Sequence, residues 1–420
     1  MSYKRIGNYV QLVDNRNKDL AVTNLLGVNI TKKIMPSVAN TSESDLSKYK
    51  IIQKGQFAYS AMQVGRDETI RLALYEGEQP AIISPAYLVI RSKDINELLP
   101  EYLMMWFTRS EFDREACFHA VGGVRESLEW DDFENLQLPI PHPDKQKEIV
   151  KEYNTIVNRI ALNNQLIKKL EETTQAIYRQ WFVDFEFPFG FAQGKPNEEG
   201  KPYKSNGGEM VESELGKIPK GWRKGSLNEI VNVIDGDRGT NYPSIEDMSK
   251  TGFCLFLNAG NISKTGFVFT ENTFITKEKD NELRKGKLTQ DDVVITTRGT
   301  VGNVGYFSDK IFFSDIRINS GMVILRGREI VEATIFVYSM LRNSDIKIAI
   351  VNYLSGSAQP QLPIRDLIKI PILIPENDLL ISFSKIAFKI QQNIDVLKIQ
   401  NLKLNELRNL LLSKLATIEN

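Results

Sequence analysis

A fixed offset of 234 residues relates the two halves of this 420-residue chain, and it constrains the fold more than any single motif does. It carries Gly122 to Gly356, Leu128 to Leu362, Asp132 to Asp366, Phe133 to Leu367 and Leu136 to Ile370. Without a gap it continues from Leu138 to Ile372, Ile140 to Ile374 and Pro141 to Pro375. A Gly, an Asp, an apolar ladder and a Pro in one register mark a tandem duplication, so one unit has to fold twice.

Each copy ends in a long helical pattern. From Pro141 to Asp184 one mostly apolar seam runs through Ile149, Tyr153, Ile156, Ile160, Asn163, Ile167, Leu170, Thr174, Ile177 and Trp181. Their spacing alternates between four and three, the period of a helix lying along another helix. The offset turns them into Phe383, Ala387, Ile390, Ile394, Leu397, Asn401, Leu404, Arg408, Leu411 and Leu415. At ~1.5 Å per residue, about forty residues make a rod of roughly 60 Å. An isolated rod gains little in water, so each predicts the other as its partner. Asn163 and Asn401 are polar members of these seams, and the offset superposes neither on the other: their equivalents are Leu397 and Ile167.

Ahead of each rod the pattern is short strands and then a helix. β-branched and aromatic runs predict strands at Tyr9–Val13, Ala21–Ile30, Gln56–Met62, Ile70–Tyr75 and Ile82–Ile90, with a helix over Pro100–His119. In the second copy strands are expected at Ile230–Ile234, Phe253–Leu257, Phe267–Thr270, Asp292–Thr297, Asn303–Phe307 and Gly321–Leu325. A helix from Ala333 to about Leu354 follows. Strands bunched ahead of helices predict α+β rather than a doubly wound sheet. Phe187–Gly208 has Gly and Pro scattered through a polar background and reads as a linker; Trp222 is expected to anchor the second globular unit.

Catalytic signatures are missing from the sequence. The two histidines, His119 and His142, have no evident Cys, Ser or Asp partner, and Cys117 and Cys254 match no metal-ligand spacing. There is no Walker loop, HExxH or paired CxxC. Thr297–Gly305, TRGTVGNVG, reads as a tight turn better than as a phosphate cradle. The start, MSYKRIGNYVQ, lacks a signal-peptide core and no apolar run approaches membrane-spanning length, so a cytoplasmic protein away from membranes is expected.

Recognition is the remaining class. Fifty-three basic residues balance fifty-three acidic ones, which weighs against a surface that clings to nucleic acid throughout but leaves local basic faces open. Residue types that read base edges are Lys54, Gln63, Arg66, Arg71 and Arg125 in the first copy. In the second they are Arg238, Asn258, Asn261, Arg298, Asn303, Arg317, Asn319, Gln359 and Gln361. Arg pairs with guanine bidentately and Asn or Gln with adenine, although all are also common loop residues.

The joints of the chain resemble the specificity subunits of type I restriction-modification systems. The residues carrying the resemblance are LQLPIPHPDKQKEIV at Leu136–Val150, LEETTQAIYRQWFVDFEFP at Leu170–Pro188, GKPYKSNGGEMVESELGKIPKGW at Gly200–Trp222 and GSAQPQL at Gly356–Leu362. The resemblance implies a target-recognition domain at 1–141, a central spacer helix at 142–186, a linker at 187–213, a second target-recognition domain at 214–375 and a distal helix at 376–420. Each domain would read one half of a split, asymmetric site in double-stranded DNA. The helices would pair as an antiparallel coiled coil, set the gap and dock two modification subunits. No cofactor is expected in this chain: methyl donor and ATP would be used by the modification subunits and by separate restriction subunits. Departures are a more apolar second rod, Arg408 where the first seam has Thr174, and an FGFAQ insertion at Phe189–Gln193. A coiled-coil scaffold that binds no DNA, and an enzyme with a degenerate motif, stay open as alternatives on the residues alone.

Overall fold

The computed structural model describes residues 3–39, 44–120, 126–188, 200–328, 330, 333–356 and 359–417. The chain divides into two compact units: Met1–Leu162 with Asn401–Asn420, and Asn163–Gln400.

In the first unit a four-stranded antiparallel sheet runs in the order β2 (Val10–Val13), β9 (Leu88–Ser92), β6 (Gln56–Ser60), β7 (Arg71–Leu74). Strand β6 is buried along its whole length because both its faces are covered. Phe57 and Tyr59 point into a core shared with Tyr102, Leu103, Phe107 and Phe112 of α2 (Pro100–Phe107) and α3 (Ser110–Ala120). Ala58, alternating to the other face, joins Leu26, Val28, Ala81 and Ile83. Those belong to a second sheet ordered β4 (Ile34–Pro36), β3 (Leu25–Val28), β8 (Ala81–Ile83), β5 (Lys50–Ile52), in which β3 and β8 are parallel. A short pair, β1 (Tyr3–Arg5) with β10 (Gln137–Pro139), and helices α1 (Val64–Asp67) and α4 (Trp130–Asn135) complete the unit ahead of α5 (Pro143–Phe182).

The second unit repeats that plan. Its sheet runs β14 (Val231–Asp235), β22 (Met322–Gly327), β19 (Val293–Thr296), β20 (Val304–Tyr306), again all antiparallel. Val293 and Ile295 face Phe336, Val337 and Met340 of α8 (Ala333–Arg342). Val294 faces Leu255, Leu257, Ile316 and Ile318 of a small sheet ordered β18 (Phe274–Ile275), β15 (Cys254–Leu257), β21 (Ile316–Ile318), whose β15–β21 pair is parallel. The pair β13 (Arg223–Ser226) with β23 (Pro371–Ile374) answers β1 with β10. The hairpins β11 (Met210–Ser213) with β12 (Gly216–Pro219) and β16 (Ile262–Ser263) with β17 (Gly266–Phe267) have no counterpart among the described residues of the first unit. Helices α6 (Leu227–Ile230), α7 (Lys277–Glu282), α9 (Ser344–Val351) and α10 (Ile364–Leu367) precede α11 (Asn377–Lys414).

Within each unit the two long helices run antiparallel. In the second, Ile167 and Leu170 of α5 pack with Ile390, Ile394 and Leu397 of α11, while Tyr178 and Trp181 meet Phe383. In the first, Ile149 shares its core with Leu412 and Leu415. Every seam position read from the sequence is buried or half-buried.

Local breakers change four expectations. Ile82–Ile90 is not one strand, because Pro85 turns the chain after β8 and β9 joins the other sheet. Pro100–His119 breaks after Phe107, where the Thr108 hydroxyl donates back to the Met104 carbonyl at 2.8 Å. The helix from Ala333 breaks at Asn343, whose side chain caps α9 by accepting from the Asp345 amide. Phe267–Thr270 contributes only the two residues of β17. The segment read as a linker holds more structure than expected: Phe187 is fully buried and stacks on Tyr203 and Trp222, and β11 lies within it. The FGFAQ stretch and Gly122–Gly123 lie outside the described residues.

Candidate nucleic-acid interface

Four chain segments meet at one end of the second unit's main sheet. They are the end of β14 with Gly236–Arg238, the Arg284–Gly286 stretch, the Asn319–Gly321 turn and the β19–β20 loop, Thr297–Asn303. Backbone contact is close enough that a Cβ on Gly236 would fall 2.3 Å from the Asn319 carbonyl oxygen. The β19–β20 loop is fastened on both sides. The amides of Thr297 and Arg298 donate to the Gly321 carbonyl at 2.8 and 3.2 Å, and Leu362 donates to the Thr297 carbonyl at 2.9 Å. Gly302 donates to the Thr296 carbonyl, and Gly299 with φ +72° makes the turn, so TRGTVGN is a tight loop.

Three exposed arginines project from this end. The buried Asp237 carboxylate accepts from the Arg284 amide at 2.7 Å, from the Arg238 amide at 2.8 Å and from the Arg284 guanidinium at 3.4 Å. The Arg284 amide is the first reason that its carboxyl stays below the ordinary aspartate range despite burial. The Arg238 guanidinium donates to Asp235 at 3.2 Å and to the Ser320 carbonyl at 3.1 Å. Arg298 is held by its backbone, which bridges to Gln361, and its exposed guanidinium has no partner among the described residues. Gln361 is half-buried and Gln359 exposed beside this loop. Arg284 and Lys285 were not anticipated from the sequence, although the run Arg284-Lys285-Gly286-Lys287 is its densest basic signal near this face.

In the first unit the matching loop joins β6 to β7. Leu128 donates to the Ala61 carbonyl at 2.9 Å, the counterpart of the Leu362–Thr297 bond. Gln63 takes the left-handed conformation, φ +65°, where the second unit has Gly299. Arg66 donates to Gln63 at 2.8 Å and to Asp67 at 2.9 Å, and Arg71 also reaches Asp67. These bonds, the one from Arg66 first, hold the Asp67 carboxyl below its usual range. Gln63, Arg66 and Arg71 therefore lie together. Lys54 does not join them: it pairs with Glu78 at 2.5 Å before the opposite end of β6. Arg125 lies outside the described residues. Met62 ends the run Gln56–Met62 that predicts a strand, but it sits on this loop with 39% of its surface exposed.

Five candidates in the second unit make hydrogen bonds within the fold. Arg317 is buried on β21, bonded to Asp280 at 2.6 Å and to the carbonyls of Lys285 and Asp280. Asn261 is buried and donates to the carbonyls of Val268 and Glu271. Asn303 donates to the Ile262 carbonyl. Asn258 caps the Ala259–Asn261 turn, and the Asn319 side chain accepts from the Gly321 amide. Arg317 and Asn261 are buried and satisfy groups within the fold, so they are not available to a base edge.

The exposed set can contact phosphates through cationic groups and base edges through guanidinium or amide groups. Known proteins with related sequences identify the family. The family described as type I restriction modification DNA specificity domain matches residues 22–172 and 219–409. The HindI specificity subunit of a type I restriction enzyme from Haemophilus influenzae is 23% identical, covering 90% of this chain and 89% of its own. The MjaIX specificity subunit from Methanocaldococcus jannaschii is 25% identical over 76% of this chain and 68% of its own. A crystal structure of a type I restriction-modification S subunit from M. genitalium shares the fold, with a TM-score of 0.57 at 16% identity, covering 100% of this chain and 96% of the other.

Proposed function

Since the chain belongs to the family of type I restriction modification DNA specificity domains, we propose that each of its two units reads one half of a bipartite, asymmetric site in double-stranded DNA. The observation carrying this reading is the repeated loop. Both units have the same sheet order, both strap the loop through an equivalent leucine amide, and both display polar side chains on it. The side chains differ between the units, so the two half-sites differ.

Helices α5 and α11 set the gap between the half-sites and dock two modification subunits. At ~3.4 Å per base pair, a rod of roughly 60 Å matches about 18 base pairs. Methyl transfer, with its methyl donor, is assigned to those subunits, and ATP-driven translocation and cleavage to restriction subunits. This chain's task is placement of the DNA in the cytoplasm of the cell. The test is methylation mapping of DNA exposed to the assembled complex. One split motif is the expected result. Methylation without a split motif, or none above the modification subunits alone, would refute the reading.

A further inference from the structure

The Leu128–Ala61 and Leu362–Thr297 bonds put the two loops into register: Ala61 answers Thr297, Met62 answers Arg298, and Gln63 answers Gly299. Equivalent loops thus present opposite chemistry at one position. In the first unit it is a thioether side chain with no hydrogen-bond donor, and in the second a guanidinium. The first loop's own arginine does not compensate, because Arg66 is engaged by Gln63 and Asp67. In the second unit Arg238 and Arg284 are likewise engaged by Asp235, Ser320 and Asp237. Arg298 differs: its backbone is fixed on both sides and its guanidinium is free of partners among the described residues.

We propose that Arg298 specifies a guanine in the half-site read by the second unit, and that the equivalent position of the first half-site is not read by hydrogen bonds. A fixed backbone limits the entropy lost when the side chain docks, and a planar guanidinium matches guanine O6 and N7 with two parallel bonds. A phosphate contact would need only charge, which Arg238 and Arg284 already bring to the same face. The inference rests on the DNA-recognition reading above.

The test is methylation mapping of the full complex on a randomised site library, with wild type, Arg298→Lys and Arg298→Met. Assembly with the modification subunits is checked for each. Both variants should lose discrimination for guanine at one position of one half-site, by about 5- to 140-fold, and keep the other half-site and the gap. Lysine fails to rescue because it keeps the charge but not the fork. Rescue by lysine, uniform weakening at every position, or an unchanged motif would each overturn the assignment. A wild-type complex with no bipartite motif would instead remove the DNA-recognition reading and this inference with it.

Discussion

Leu362 donates its amide to the carbonyl of Thr297 at 2.9 Å, closing the loop after β19 against the segment that leads into α10. Because Leu128 makes the same bond to Ala61, the duplication preserves the frame of the loop and varies its side chains. Recognition can then diverge without altering the sheet beneath it.

Arg317 and Asp280 form a buried ion pair within the second unit. Both side chains are almost fully buried. Arg317→Ala leaves Asp280 with less compensation and is expected to cost about 3–5 kcal/mol. Thermal unfolding should show the loss, while methylation mapping at permissive temperature should return the wild-type motif. A relaxed base preference with unchanged stability would return Arg317 to the interface.

Acid should release the same cluster. Burial pushes the Asp280 carboxyl up, yet hydrogen bonds from Lys287 and Arg317 outweigh it and hold the group below the ordinary 3.8. A depressed carboxylate stabilises the fold above its unfolded value, and that contribution is lost as pH falls through the folded one. The stability gap between wild type and Asp280→Asn should therefore narrow below about pH 4. Urea unfolding midpoints from pH 7 to pH 3 measure it, and a pH-independent gap would contradict it.

Asn163 is 1% exposed in the helix seam, with its amide 3.4 Å from the Gln400 side-chain oxygen. Asn163→Leu trades a hydrogen bond of about 0.5–1.5 kcal/mol for apolar burial of similar size. Folding should survive, while register loosens or self-association appears, since a buried Asn selects one pairing. Light scattering and binding to the modification subunits report on this; a monodisperse variant that binds as wild type would leave Asn163 without that role.

Inserting four residues after Asn163 tests the spacing role. The insertion lengthens α5 by about 6 Å, near the rise of two base pairs, and turns it by roughly 400°. The seam returns within about 40° of its old direction and is absorbed as a local stutter. Both half-site sequences should persist while the gap grows by one or two base pairs. An active complex with an unchanged gap would show that the helices only dock partners.

Much of this architecture is written locally. The long helices follow from a four-three spacing over about forty residues, and the strands of the main sheets from apolar alternation bounded by turns. The duplication is visible because Leu128, Phe133 and Leu138 and their partners 234 residues later occupy buried positions that tolerate only apolar side chains. The run Ile82–Ile90 misled because apolar character alone does not say which sheet a strand joins, and Pro85 divides it between two.

Which polar residues are exposed is decided by tertiary structure. Arg298 and Arg317 are the same residue type on the same unit, nineteen positions apart in the sequence, yet one guanidinium meets solvent and the other Asp280. No local pattern separates them, because burial depends on what the remote segments around β21 bring against it. Gln146 is the same case in the first unit: a fully buried amide, it accepts from the Leu99 amide and donates to the carbonyls of Glu97 and Pro141. Periodicity determines which face of an element is apolar, since it is a property of neighbours in sequence. Which polar side chains are consumed within the fold and which are left exposed depends on partners distant in sequence, and only the folded chain brings those together.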